Sequence, residues 1–245
     1  MWKRMLQMIL VRNLAGKELT DEKIRDFRKM VLVQGLLIST IFLLHLFQYL
    51  GFPWHLQIAE SIFFAVLGYY VFLMWDMLRN YTTSRLVVFL NFVLIMGVFV
   101  LGFLAVNPWM PMPLNTPYRL ILTFIQSCLL GVESFLIYFT LREFFKRDLS
   151  MPMRLWGAAC IYLMIGLAFG SAYELICILQ IDCLGVDIPL QTMALMKRCE
   201  FSLMVLSGMD TPYASVSPLI SSLATVEALW GQLFVIFIVG RLMVK

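Results

Sequence analysis

The sequence predicts an all-α polytopic membrane protein, with six membrane-spanning helices and a re-entrant helix between the fifth and sixth. Three observations predict it. The 245 residues are 61% hydrophobic and only 14% charged, against about 45–50% apolar and about 25% charged in soluble domains. Six apolar segments recur, each near the roughly 20 residues that cross a bilayer. Between the last two, a long loop at about 180–216 carries an apolar stretch too short to cross and return. No internal repeat, low-complexity tract or soluble domain interrupts this pattern.

The spans fall at about 30–50, 56–77, 84–106, 118–142, 153–179 and 217–241. Residues 1–29 precede them. They hold eight Lys/Arg and no apolar core with a small-residue cleavage site, so no cleavable signal peptide is expected. Within them "TDEKIRDFRKM" opens on Thr20, a good N-cap, and predicts a short amphipathic helix on the cytoplasmic membrane surface.

Spans 1 to 4 make a four-helix domain over 30–147. Trp54, Trp75 and Trp109 lie near span ends, where interfacial aromatics belong. The loop before span 4 carries Pro108, Pro111 and Pro113, and Thr116–Pro117 then starts a helix. Span 5 starts behind Pro152. Span 6 starts behind Pro218, with Ser217 as its cap.

Orientation follows from Lys/Arg placement. Sixteen lie in the N-terminal segment, the loops after spans 2 and 4, and the C-terminus. Three lie on the other side: Arg119, Lys197 and Arg198. Both termini are therefore expected in the cytoplasm. The net charge of +4 is accounted for by topology and calls for no nucleic-acid partner.

The loop between spans 5 and 6 is the exception to short connections, and loops of that length usually carry function. Its part "LQTMALMKRCEFSLMVL" (190–206) is apolar and helix-forming. It can enter the membrane part-way, and irregular backbone at that depth is tolerated only inside protein or beside water. Of the five cysteines, Cys128, Cys160 and Cys177 fall within spans as packing residues. Cys183 and Cys199 share the non-cytoplasmic loop, where a bridge is chemically permitted. His45 and His55 stand alone. No Cys/His cluster suggests a metal or cofactor, and no nucleophile–base set suggests an enzyme. The absence of inverted repeats weighs against a secondary transporter.

Ionisable groups inside spans are functional candidates by default, because burying them is costly. Glu60, near a span start, is expected at the interface. Glu133 in span 4 is a candidate for a proton or cation path. Glu174 and Glu227 are candidates for bracing the loop. Gly166 and Gly170 form a GxxxG pair suited to tight helix contact. Gly231, mid-way along span 6, suits either a bend or close packing.

Residues 153–174, "MRLWGAACIYLMIGLAFGSAYE", and 215–244, "SVSPLISSLATVEALWGQLFVIFIVGRLMV", flank this loop. The "WGAACIYLMIGLAF" core with Glu174, and the elements "SPL", "EALxGQLF" and "RLM", resemble the outer and inner helices of bacterial six-span potassium channels. The resemblance covers about two-fifths of the chain. It implies a potassium-channel-like pore domain over 148–245, a homotetramer passing monovalent cations, and a bacterial inner-membrane location. It also implies a gating hinge at Gly231 and a bracing Glu227.

The filter departs from that family. Placing Asp210 on the aspartate of T-V-G-Y-G-D puts Val205, Leu206, Ser207, Gly208 and Met209 on the five preceding positions. Both filter glycines are lost, and stacked carbonyls need backbone angles that glycine adopts cheaply. Potassium selectivity is therefore not expected. Span 4 lacks the Arg/Lys spacing of a voltage sensor. No ligand-binding domain is expected after span 6, since the sequence ends at Lys245. Two functions follow: a cation channel of low or unusual selectivity, or a non-conducting subunit lending structure to a membrane complex.

Overall fold

A computed structural model describes residues 16–51, 54–81, 84–105, 116–145, 150–179, 183–185, 192–211, 213 and 216–243. Residues 1–15, Trp109, the prolines at 108, 111 and 113, and the side chain of His55 lie outside these. Among the described residues the structure is helical, with no strand.

The helices are α1 (Gly16–Tyr49), α2 (His55–Leu78), α3 (Arg85–Ala105), α4 (Thr116–Phe144), α5 (Met151–Leu179), α6 (Thr192–Ser207) and α7 (Pro218–Met243). All but α6 are long and apolar enough to cross a membrane. This is an integral membrane protein. The sixteen residues of α6 extend about 24 Å at 1.5 Å per residue, short of the roughly 30 Å hydrocarbon core.

The N-terminal segment differs from expectation. Thr20 is not a cap: α1 begins at Gly16 and runs unbroken for 34 residues into the first span. Of its charged residues Glu22, Lys23 and Asp26 are buried, while Glu18, Asp21, Arg25 and Arg28 are exposed. Lys23 ion-pairs with Glu143 of α4 at 2.7 Å and lies over the Tyr81 ring. Asp26 accepts from Asn80 just beyond α2. Pairing lets charges sit inside a protein that would otherwise reject them, so no break in the helix is needed to keep them in water.

Helix α5 is the axis of the fold. It packs against α1, α4, α6 and α7, and 67% of its most apolar window is buried, against 17% for α3 and 22% for α7. Small residues allow this: Gly157, Ala158, Gly166, Ala168, Gly170 and Ser171 all lie at buried positions. Trp75 lies near the end of α2, turned into the protein and not towards lipid. It is buried, with its ring against Phe92 at 4.9 Å and the Arg79 guanidinium over it at 4.5 Å. Trp54 does stand exposed, in the left-handed conformation that starts α2.

Candidate functional site: the cradle of helix α6

Helix α6 lies against α5 and α7 and also touches α1 and α2. The GxxxG pair of α5 sets the closest approach. A Cβ at Gly170 would stand 2.8 Å from Cys199 Sγ and 3.0 Å from its Cα, and one at Gly166 would stand 2.9 Å from Leu203 Cδ2. Cys199 and Leu203 are one helical turn apart, as are the two glycines, so two matched ridges mesh.

Polar contacts then fix the helix. Glu227 of α7 is fully buried. It accepts a hydrogen bond from Tyr173 Oη of α5 at 2.6 Å, and Ser202 Oγ of α6 also meets its carboxylate. Ser202 Oγ lies 2.6 Å from the Gly166 carbonyl as well. One carboxylate thus joins three helices. Glu174 of α5 pairs with Arg198 of α6, Oε2 to Nε, at 3.1 Å, and both side chains are buried. At the edge of α6, Glu200 Oε1 meets His45 Nε2 of α1 at 3.2 Å.

The C-terminal end of α6 is closed by a glycine. Gly208 adopts φ +73°. Its N–H donates to Val205 O at 3.0 Å, and the N–H of Met209 donates to Met204 O at 2.9 Å. This is a Schellman cap, which needs a left-handed residue and usually takes glycine. Tyr162 Oη donates to Leu206 O at 3.2 Å. The residues expected to begin the filter are therefore placed differently. Val205 and Leu206 are buried helix, and Ser207 ends it. The carbonyls of Val205 and Leu206 are already engaged, so they do not form a line of free oxygens. Positive φ falls on Gly208 and not on Met209. Gly208, Met209 and Asp210 are exposed, Met209 at 59%.

Gly231 is a packing glycine. A Cβ there would meet Leu206 O at 2.3 Å. Its lack of a side chain lets α7 lie against the capped end of α6, which accounts for the residue without a hinge. Glu60 is buried near the start of α2. Glu133 is buried beside Tyr70 and Ser171, in the interior between α2, α4 and α5 and not on the exposed side of α7.

Two features were not read from the sequence. Arg198 was counted only as a loop charge. The signal was its position inside an apolar helix, where a buried guanidinium requires a partner. Cys183 bonds Cys177 at the C-terminal end of α5, and Cys199 is a free buried thiol. Cys177 is therefore a disulfide partner and not the packing residue expected of a cysteine within a span. The Cys183 carbonyl also accepts from Ser217 N at 2.9 Å, where Ser217 Oγ caps Ile220 N of α7. Tyr213 folds back so that its ring meets Phe201 edge-on at 5.7 Å. Burial first, and then Glu200, raise its phenol above the ordinary range, with Arg198 opposing. That side chain stays neutral at physiological pH.

Helix α7 turns Ile220, Glu227, Gly231 and Phe234 inward. Ser221, Ser222, Thr225 and Gln232 are exposed on another side. Ser222 and Thr225 bond their own helix backbone, at 2.9 and 3.0 Å, which softens their cost in lipid.

Comparison with family models, with curated proteins and with solved structures finds no match to this chain.

Proposed function

We propose that this chain is the subunit of a homotetrameric pore that passes monovalent cations with low or unusual selectivity. The observation that carries the reading is the cradle. A helix too short to cross is held rigidly between two spanning helices, and its C-terminal end opens onto exposed residues 207–210. A helix C-terminus carries partial negative charge, and Asp210 adds a carboxylate there. Cations are the ions such a mouth attracts. The exposed Ser221, Ser222, Thr225 and Gln232 of α7 support an outlet lined by several copies, because a carboxamide on a spanning helix favours protein or water over lipid. The Cys177–Cys183 bond supports an outward-facing loop, since disulfides persist in oxidising compartments. Cytoplasmic termini in a bacterial inner membrane fit that orientation.

The engaged carbonyls of Val205 and Leu206 favour a second reading, a non-conducting subunit that lends its scaffold to a membrane complex. Purified protein in liposomes separates the two. The pore reading expects flux of potassium and sodium at comparable rates, and a native mass of four copies. Strong potassium preference refutes the selectivity assigned here. Silence, together with one copy among foreign subunits, refutes the pore.

A further inference from the structure

Arg28 stands apart from the other charges in the first turns of α1. Lys23 pairs with Glu143, Arg25 with Glu22, and Lys29 with Asp26 at 4.0 Å. Arg28 is exposed, and among the described residues it has no carboxylate partner. Its contact is aromatic. The guanidinium lies 6.0 Å from the centroid of the Trp156 ring on α5, at the reach of a cation–π attraction. A ring supplies no acceptor oxygen, so the fork of N–H donors stays free for one.

Sequence and packing put this fork at the edge of the membrane. Lys29 is the last Asp, Glu, Lys or Arg of α1, and Arg154 is the last before Glu174 on α5. From there the two helices run side by side. A Cβ at Gly157 would stand 3.6 Å from Phe27 Cε2, and Gln34 Nε2 donates to Cys160 O at 3.4 Å. Trp156 is half-buried in this seam, a depth that suits its amphipathic ring. One and two turns further along α1, Leu32 and Leu36 are exposed on the face that Arg28 heads. A Cβ at Gly35, next to Leu36, would meet nothing within 4 Å, so there is room against the backbone beside this stripe.

We infer that the α1–α5 seam binds one anionic phospholipid, with its phosphate on Arg28 and an acyl chain along Leu32 and Leu36. Charge selects the headgroup. A phosphodiester without an amine, as in phosphatidylglycerol, carries the single negative charge that the unpaired guanidinium calls for, and Arg can grip two of its oxygens. A zwitterionic headgroup brings its own cation and leaves the guanidinium unmatched. The nearer carboxylates, Glu22 and Asp26, are taken up by Arg25 and Lys29. The exposed ones, Asp21 and Glu18, lie about 10 and 15 Å further from the apolar stretch at 1.5 Å per residue. The apolar stripe selects a lipid over free phosphate. Basic positions between spanning helices at a membrane face are where such headgroups dock. The site requires only that Arg28 lie at a membrane face, so it is independent of pore formation.

The test is native mass spectrometry of the purified full chain, stripped of lipid in detergent and titrated with dioleoyl phosphatidylglycerol or dioleoyl phosphatidylcholine. The first phosphatidylglycerol should bind more tightly than the first phosphatidylcholine. Arg28→Gln should weaken that phosphatidylglycerol about tenfold, the effect of one charge-assisted hydrogen bond. Arg28→Lys keeps the charge but not the fork and should fall between. Arg119→Gln removes another exposed positive charge, at the start of α4, and should change nothing. Glycerol phosphate, the headgroup without acyl chains, should not displace the lipid at equal concentration. Arg28 is exposed, so its variants should fold, and the comparison of the two lipids on the wild type stands without them. Equal affinity for the two lipids overturns the choice of headgroup. An unchanged Arg28→Gln, or an equal loss in Arg119→Gln, overturns the site. Displacement by glycerol phosphate overturns the role of the apolar stripe.

Discussion

Replacing Glu227 by leucine removes the carboxylate that joins α5, α6 and α7, and the structure says which partner suffers. Ser202 Oγ has one hydrogen, and the Gly166 carbonyl at 2.6 Å can take it. Tyr173 Oη has no such alternative. Its ring is buried against Phe201 at 5.0 Å, and its hydrogen bond goes to Glu227. An orphaned buried hydroxyl costs about 1–3 kcal/mol, so Glu227→Leu should destabilise by about 2 kcal/mol. Glu227→Gln keeps an acceptor for Tyr173, and its amide can donate to Ser202, so the loss should stay under about 1 kcal/mol. Adding Tyr173→Phe to Glu227→Leu removes the orphan and should recover about 1 kcal/mol, the signature of coupled residues. At about 2–4 °C per kcal/mol for a chain of this size, Glu227→Leu should melt about 4–8 °C early in detergent-based thermal unfolding. Equal melting of the Gln and Leu variants, or no recovery in the double variant, would refute this account.

Four further expectations follow from the same cradle. Gly231→Ala puts a methyl group 2.3 Å from Leu206 O and should cost about 1–3 kcal/mol by overpacking in the same melting assay, while Gly35→Ala, with nothing within 4 Å, should be neutral or slightly stabilising. Arg198→Met leaves Glu174 buried alone and should cost about 3–5 kcal/mol, whereas the double variant with Glu174→Met should be milder than either single one. Cys183→Ser opens a short loop and should cost about 2 kcal/mol, while Cys199→Ser should leave the disulfide intact in non-reducing peptide mapping. Cysteines introduced at Trp54 and Ser150 should react with an impermeant maleimide from opposite faces of the membrane, and reaction from one face would remove the proposed topology.

The spanning helices were legible because lipid imposes one strong rule: each must be apolar over a nearly fixed length. Pro152, Pro218 and Ser217 marked helix starts for local reasons, and the structure keeps them there. The existence of α6 was legible as well, from apolar composition in a loop otherwise rich in breaks. Its contacts were not. Whether Gly231 bends or packs depends on what stands opposite, and Leu206 O lies 25 residues away in sequence. The pairing of Arg198 with Glu174, and of Cys183 with Cys177 rather than Cys199, is set by which helix faces meet. Hydropathy carries no information about that. The cap at Gly208 was written locally, since glycine after an apolar helical run is a stop signal, although the same residue also falls within the filter pattern.

The unbroken course of α1 has a mechanical consequence. The same rod is fastened near one end through Lys23 to Glu143 and near the other through His45 to Glu200 of α6. At 1.5 Å per residue the two fastenings are about 33 Å apart. Between them Phe27, Met30, Val33, Leu37, Ile41 and Leu44 are buried along the same rod, so one continuous helix sets the spacing between the charged cluster around Lys23 and the edge of α6.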